Sequence, residues 1–248
     1  NGAEGRAMLS AARARPNLVA QIVPAPHTLP FDQTIIDLIA DGAIGDLVAI
    51  HALVTAGSDF PQWDSAPNWR NDREFSGNNI MMMGIWYEAM MRWVGPAATV
   101  HAVGQAVVKH RKDETGRRIA MPIPDLIDVL CRMEQGGQMR MSVSTVLGLA
   151  PGTEVSLYGT EGTIRLTESD GMLGLWSGRR GDSALRPVEI APEKVGGWRV
   201  EEEFINAVRG TEAVTHTDLV TAVKYMEWSD AVCQSLGTGE TLHLPRLN

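Results

Sequence analysis

DLIDVLCRMEQGGQMRMSVST, Asp125 to Thr145, decides the fold class. It reads as two strands, Leu126 to Glu134 and Gln138 to Val146, joined by a Gln135-Gly136-Gly137 turn. Strands joined by so short a turn pair antiparallel. Outward from this hairpin, Thr99 to Lys109, Glu154 to Tyr158 and Thr163 to Leu166 read as further strands, with Gly159-Thr160-Glu161-Gly162 as a second turn. Leu47 to Thr55 suits another strand, and Thr241 to Leu244 a short last one. Helical spacing predicts helices over Phe31 to Ala40, stopped by Gly42, and over Ile80 to Val94, ended by Gly95-Pro96. It does so again over Trp198 to Arg209 and Asp218 to Ser235. The expected architecture is α+β, an open and mainly antiparallel sheet with helices on one face.

The first residues read differently. Glu4 to Arg13 is an Ala-rich helical pattern, and Leu18 to Val23 looks like a short, fully buried strand. Such a helix and strand normally belong to a parallel, doubly wound sheet.

Composition narrows the function classes. Of 248 residues, 44% are apolar and 21% charged, ordinary for a globular chain that buries a sizeable core. The formal net charge of −8 repels phosphate backbones and anionic membranes, so a nucleic-acid binder is not expected. No window approaches the roughly 18 to 20 unbroken apolar residues of a spanning helix, and the first thirty residues lack signal-peptide order. The expectation is a soluble, cytoplasmic protein. Cys131 and Cys233 lie far apart in apolar stretches without metal-ligand spacing and read as two buried thiols.

Six strings, in order, then resemble one family. They are IIDLIADGAIG (35–45), NWRNDREFSGNNIMMMGIWYEAMMRWVG (68–95), the Asp125 to Thr145 hairpin, EVSLYGTEGTIRL (154–166), GWRVEEEFINAVRG (197–210) and KYMEWSDAVCQSLGTGETLHLP (224–245). Together they are similar to the Gfo/Idh/MocA oxidoreductases, the family of glucose-fructose oxidoreductase and inositol dehydrogenase. The resemblance implies an N-terminal dinucleotide-binding domain of Rossmann type and a C-terminal domain supplying the substrate pocket and subunit interface. Residues 1–27 then correspond to a remnant of the first, and 28–248 to the second. The glycine-rich GxGxxG turn and the Glu-Lys-Pro motif of the family do not occur here. NAD or NADP is therefore expected in the intact protein, with no dinucleotide bound by this chain alone. Gly159 to Gly162 lies between two strands and reads as a hairpin turn, not a phosphate loop.

The family's DxGxHxxD segment places Asp, His and Asp on one helix face. Aligned on Gly84, those positions are Met82, Trp86 and Ala89, none of which transfers a proton. Two readings stand. Met82, Trp86, Ala89 and Trp93 form a buried helix face, or the pocket persists with other chemistry, Met82 and Trp86 lining it. Some relatives carry Tyr where others have His, which makes Tyr87 the candidate proton-transfer residue. It sits one residue, about 100° of helix, off that face.

In the long Gly57 to Asn78 loop, Trp69 stacks on sugar C–H faces and Arg70 fixes hydroxyls or a carboxylate, or else both anchor the loop. His27, at the end of the first predicted strand, is a second substrate-binding candidate. His51, His101 and His243 read as structural, and no pair of His or carboxylates has metal spacing. The basic run Lys109 to Lys112 with Arg117 and Arg118 reads as a solvated hairpin connection or a phosphate-capturing patch.

The expected function is an NAD(P)-dependent oxidoreductase acting on a sugar-like or polyol-like hydroxyl. The alternative is a non-catalytic assembly or ligand-binding module of the same descent. Helices on one side only leave the other sheet face to a second copy, so a homodimer or homotetramer is expected.

Overall fold

The computed structural model describes residues 1–23, 29–55, 57–169, 171–215 and 218–245. In chain order the helices are α1 (Gly2–Arg13), α2 (Asp32–Ala40), α3 (Arg73–Ser76), α4 (Met83–Val94), α5 (Val200–Arg209) and α6 (Leu219–Thr238). The strands are β1 (Leu47–Val54), β2 (Ala97–Gln105), β3 (His110–Lys112), β4 (Arg118–Ala120), β5 (Leu126–Met133) and β6 (Gln138–Ser144). They continue with β7 (Glu154–Gly159), β8 (Gly162–Ser169), β9 (Met172–Arg179), β10 (Arg186–Pro187) and β11 (Leu242–His243).

Among the described residues nine strands form one sheet, ordered β10-β9-β8-β7-β1-β6-β5-β2-β11, while β3 and β4 make a separate hairpin. Every neighbouring pair in the large sheet is antiparallel except β1 and β6. The β5–β6 turn needs glycine twice. Gly136 and Gly137 have φ of 97° and 76°, and a Cβ on Gly137 would lie 2.9 Å from the Leu47 carbonyl oxygen.

Period-2 alternation separates the two sheet faces. Ile50, Ala52, Val54, Val100, Ala102, Ile127, Val129, Met139, Met141 and Leu157 point inward and are buried. Against them pack Met83, Met90 and Trp93 of α4 and Trp228, Ala231 and Val232 of α6. Each fully buried large side chain contributes about 1.5–3 kcal/mol, so this layer carries most of the stability. Among the described residues no helix packs across the opposite face, where Val103 and Leu130 are 55% and 51% exposed.

Polar ties fix the helices over the sheet. Asp32 of α2, 5% exposed, accepts from Arg92 Nη2 at 2.8 Å, Trp93 Nε1 at 2.7 Å and Leu29 N–H at 3.0 Å. Arg92 also donates to Glu88 Oε1 at 3.0 Å. At the chain start, α1 has an Asn1–Glu4 capping box and docks on α6. The Gly2 N–H donates to Asp230 at 2.8 Å, and Arg6 pairs with Glu227 at 2.8 Å.

Three sequence expectations need correction. Leu18 to Val23 is not a buried strand. It pairs with no strand of the described residues, and Leu18 and Val23 are exposed, because an apolar run without a neighbouring ladder has nothing to take its backbone hydrogen bonds. The helix read from Ile80 starts only at Met83, since Met81 sits at φ 50° and interrupts it. Of the two thiols, Cys131 is buried but Cys233 only partly so. No helix of the described residues is long and apolar enough to cross a membrane.

Candidate functional site

The parallel strands β1 and β6 run side by side, Val54 opposite Val143, so their carboxyl ends open at one edge of the sheet. Ligands of sheets containing parallel strands gather outside such ends. A cavity of about 280 Å³ lies there. Its floor is the end of β6 and the segment after it, Val143 to Val146. One wall is Met81 and Met82 at the start of α4, and another is Met121 to Asp125 leading into β5. The rim is the long loop, through Gln62, Asn68, Arg70 and Asn71, with Arg111 of β3 on the remaining side.

Local chemistry holds each polar group in place. Asn68 and Asn71 cap one another across a single 3-10 turn, Asn68 Oδ1 accepting from Arg70 N–H at 2.9 Å and Asn71 Oδ1 from Asn68 N–H at 2.9 Å. The Arg70 guanidinium lies over the Trp69 ring, 4.2 Å from its centroid. Asp125 accepts from Val107 N–H at 2.7 Å on one oxygen and from Val108 N–H at 3.0 Å on the other, tying the cavity wall to the end of β2. Arg111 donates from Nη1 to the Ser65 carbonyl at 3.3 Å, while its buried Nε has no partner among the described residues. Ser144 accepts from Val146 N–H at 3.0 Å. Met81, held at φ 50°, is a strained non-glycine residue in the cavity wall, the kind of backbone that persists where surrounding structure over-determines it.

The structure brings Arg70 and Met82 to this cavity and leaves the other named residues elsewhere. Trp69 is 58% exposed and touches the site through its stack with Arg70. Trp86, Ala89 and Trp93 are buried in the core, whereas Met82 of the same helix face lines the cavity. Tyr87 is also in the core, with its hydroxyl accepting the Ala97 N–H at 3.0 Å. Burial pushes its ionisation well above the usual tyrosine range, against a smaller opposing effect of the Ala97 bond. A hydroxyl so placed does not reach the cavity. His27 lies outside the described residues.

Several lining residues were not legible as site residues. Arg111 was hidden inside a charge run. The alternation in β3, which pairs Arg111 with Ile119 and sets it on the opposite side from His110 and Lys112, is the signal that singles it out. Asn68, Asn71, Ser144 and Thr145 carry no local pattern beyond loop and strand-end chemistry.

A nicotinamide dinucleotide needs a strand, a glycine-rich turn and a helix whose N–H groups face the pyrophosphate. Among the described residues no such turn joins a strand to a helix. Gly159 and Gly162 flank the β7–β8 hairpin, and a Cβ on either would run into the carbonyl oxygens of Ile44 and Ala43. Their glycines serve backbone packing, so the residues present do not fit the group. No cluster of three or more His, Cys, Asp or Glu placed for a metal ion occurs among the described residues.

The family described as the GFO/IDH/MocA C-terminal domain matches residues 33–165. No curated protein matches the sequence. Among solved structures, an NAD binding oxidoreductase from Klebsiella pneumoniae superposes with a TM-score of 0.82 at 15% identity, covering 100% of this chain and 72% of that one. Levoglucosan dehydrogenase in complex with NADH and L-sorbose gives 0.80 at 18% identity, covering 99% and 71%. The super-repressor mutant of Gal80p from Saccharomyces cerevisiae gives 0.77 at 13% identity, covering 98% and 69%. At these identities the likeness shows the shared fold. Since the family match spans more than half of the 248 residues, the chain belongs to the GFO/IDH/MocA family, whose C-terminal domain it carries.

Proposed function

We propose that this chain is the substrate-side part of an NAD(P)-dependent oxidoreductase acting on a hydroxyl of a sugar-like or polyol-like small molecule. Residues 1–27 belong with the dinucleotide domain and 28–248 form the substrate-binding and oligomerisation domain. The observation that carries this reading is the cavity at the carboxyl ends of β1 and β6, where Asn68, Asn71, Arg70, Ser144 and Thr145 converge on one small space. Such a mix of amide, hydroxyl and guanidinium groups suits a hydroxylated ligand. Levoglucosan dehydrogenase, which shares the fold, is described with NADH and with L-sorbose bound, and this supports the same ligand class here.

The chain's own residues bind and orient. Asn68 and Asn71 present amides, and Met81 and Met82 form an apolar wall that shields one side of the ligand from water. Asp125 is the one carboxylate among the described lining residues, and each of its oxygens keeps a free lone pair beside its backbone N–H partner. Removal of a proton from a bound hydroxyl therefore falls to Asp125 or to solvent.

The test is to express this chain together with the polypeptide encoded immediately upstream and to follow nicotinamide absorbance with a panel of sugars, polyols and their acids. Substrate-dependent reduction of NAD or NADP is the expected result, and no turnover across the panel would overturn the reading.

A second reading, a ligand-binding or assembly module without catalysis, is favoured by the placement of Trp86 and Ala89 in the core at positions where the family has His and Asp. Ligand binding by the upstream-extended protein without any nicotinamide turnover would select it.

A further inference from the structure

We propose that the ligand of this cavity is an anion, a hydroxylated molecule whose carboxylate or phosphate is held between Arg70 and Arg111. The proposal rests on the cavity being the substrate site and adds the charge of what enters it.

Two guanidinium groups line one cavity of about 280 Å³. Neither forms an ion pair among the described residues. Arginine stays charged at any working pH, so the pair cannot relieve its repulsion by losing a proton. The Asp125 carboxylate, held in the wall by the Val107 and Val108 N–H groups, offsets one of the two positive charges of this lining and leaves the other in excess. A neutral sugar leaves that excess uncompensated, whereas a carboxylate or phosphate meets it with paired acceptors.

Arg111 adds an independent sign. Its Nε is buried and has no acceptor among the described residues, and buried donors are rarely left so. Its Nη1 is fixed by the Ser65 carbonyl, which orients the fork. Arg70 is held by its stack on Trp69. Both are thus ordered before a ligand arrives, which lowers the entropy lost on binding. The positive field extends outward, because Arg111 also lines a neighbouring hollow with Lys109, Lys112 and Arg118, where Asp64 pairs with Lys112 at 3.9 Å. In a chain of net charge −8 this concentration of cations is local, not a general property of the surface.

The test is calorimetric titration of the 248-residue chain with glucose, glucitol, gluconate, glucuronate and glucose 6-phosphate. At least one acid or phosphate should bind about tenfold or more tightly than glucose and glucitol, with an affinity that falls as salt is added. Gluconate or glucuronate ahead of glucose 6-phosphate assigns a carboxylate, and the reverse order a phosphate. R70Q and R111Q should each remove about tenfold from anion binding, more than either takes from binding of the neutral probes. If R111Q does not fold, R70Q and the salt dependence of the unaltered chain decide the matter. Binding of gluconate, glucuronate and glucose 6-phosphate no tighter than that of glucose, or an anion preference that survives R70Q, overturns the proposal and leaves a sugar site standing. No binding of any probe overturns both the anion and the substrate site. Anion binding without nicotinamide turnover in the upstream-extended protein keeps this proposal and removes the oxidoreductase reading.

Discussion

Tyr87 lies flat on Trp228, with ring centroids 4.0 Å apart and planes 3° from parallel. The pair joins α4 to α6, and each partner reaches on to the sheet. The Tyr87 hydroxyl accepts from Ala97 N–H at 3.0 Å, and Trp228 Nε1 donates to Cys131 Sγ at 3.5 Å. Tyr87→Phe keeps the stack and leaves the Ala97 N–H without its acceptor, so it should cost about 1–3 kcal/mol in urea unfolding. Ligand binding and any turnover should be unchanged. A tyrosine that moves the substrate proton would instead lose about a hundredfold or more in turnover with little change in stability.

Burial gives the same region a pH signature. Removal from water pushes the Cys131 thiol up to about 12 from its ordinary value near 9, only partly offset by the Trp228 N–H. Below pH 9 the thiol is protonated both folded and unfolded. Between pH 9 and 12 the unfolded chain gives up a proton that the folded chain keeps, so stability falls as pH rises. The slope from this one group approaches about 1.4 kcal/mol per pH unit. Cys233 is raised by burial as well and adds to the fall, and Tyr87 joins it above pH 10. Urea midpoints taken from pH 8 to pH 10 should therefore decline, and Cys131→Ala should be less stable at pH 8 yet show a shallower decline. An unchanged slope in that variant would show the thiol to be already ionisable in the fold.

What the sequence revealed and what it hid have physical causes. The Asp125 to Thr145 hairpin was legible because inward residues alternate along both strands and a Gly-Gly pair permits the positive φ values of its turn. Strand β9 was not assigned, since Gly174, Trp176, Ser177 and Gly178 dilute its apolar pattern at one end of the sheet. Leu18 to Val23 misled because apolarity alone does not supply a neighbouring ladder. The candidate site was legible only at Arg70 and Met82. Its remaining walls come from segments far apart in the chain, and the backbone turn at Met81 has no local signal.

Asp32 ties α2 to α4 through the Arg92 guanidinium and the Trp93 indole, with its own oxygens almost wholly withdrawn from water. Removing one member of a buried charged network strands the others, an effect of about 3–5 kcal/mol. Asp32→Ala should lose stability of that order. Asp32→Asn, which keeps one acceptor for the indole, should lose less. The comparison is made by urea unfolding, and equal losses in the two variants would mean that the charge on Asp32 carries the whole effect and the neutral acceptor for the indole none of it.

The helix-free sheet face leads to the last prediction, that the chain associates with itself there. Across it runs a row in register, Trp176, Arg165, Ser156, His51, Arg140, Leu130 and His101. The next row carries Glu154 and Asp128 beside Leu53 and Val103. A basic row flanked by an acidic one complements its own image about a twofold axis, as an isologous interface requires. Size permits it too, since nine strands at about 4.8 Å spacing and roughly 20 Å length offer the roughly 800 Å² per partner of a standard interface. Leu130 of β5 and Val103 of β2, both about half exposed, give the face an apolar patch toward its β2 side that a second copy removes from water. Light scattering at micromolar concentration should give at least a dimer, and Leu130→Glu, which sets a charge in that patch next to Asp128, should give a folded monomer. A monomeric unaltered chain, or a variant that still associates, would place the contact elsewhere or remove it.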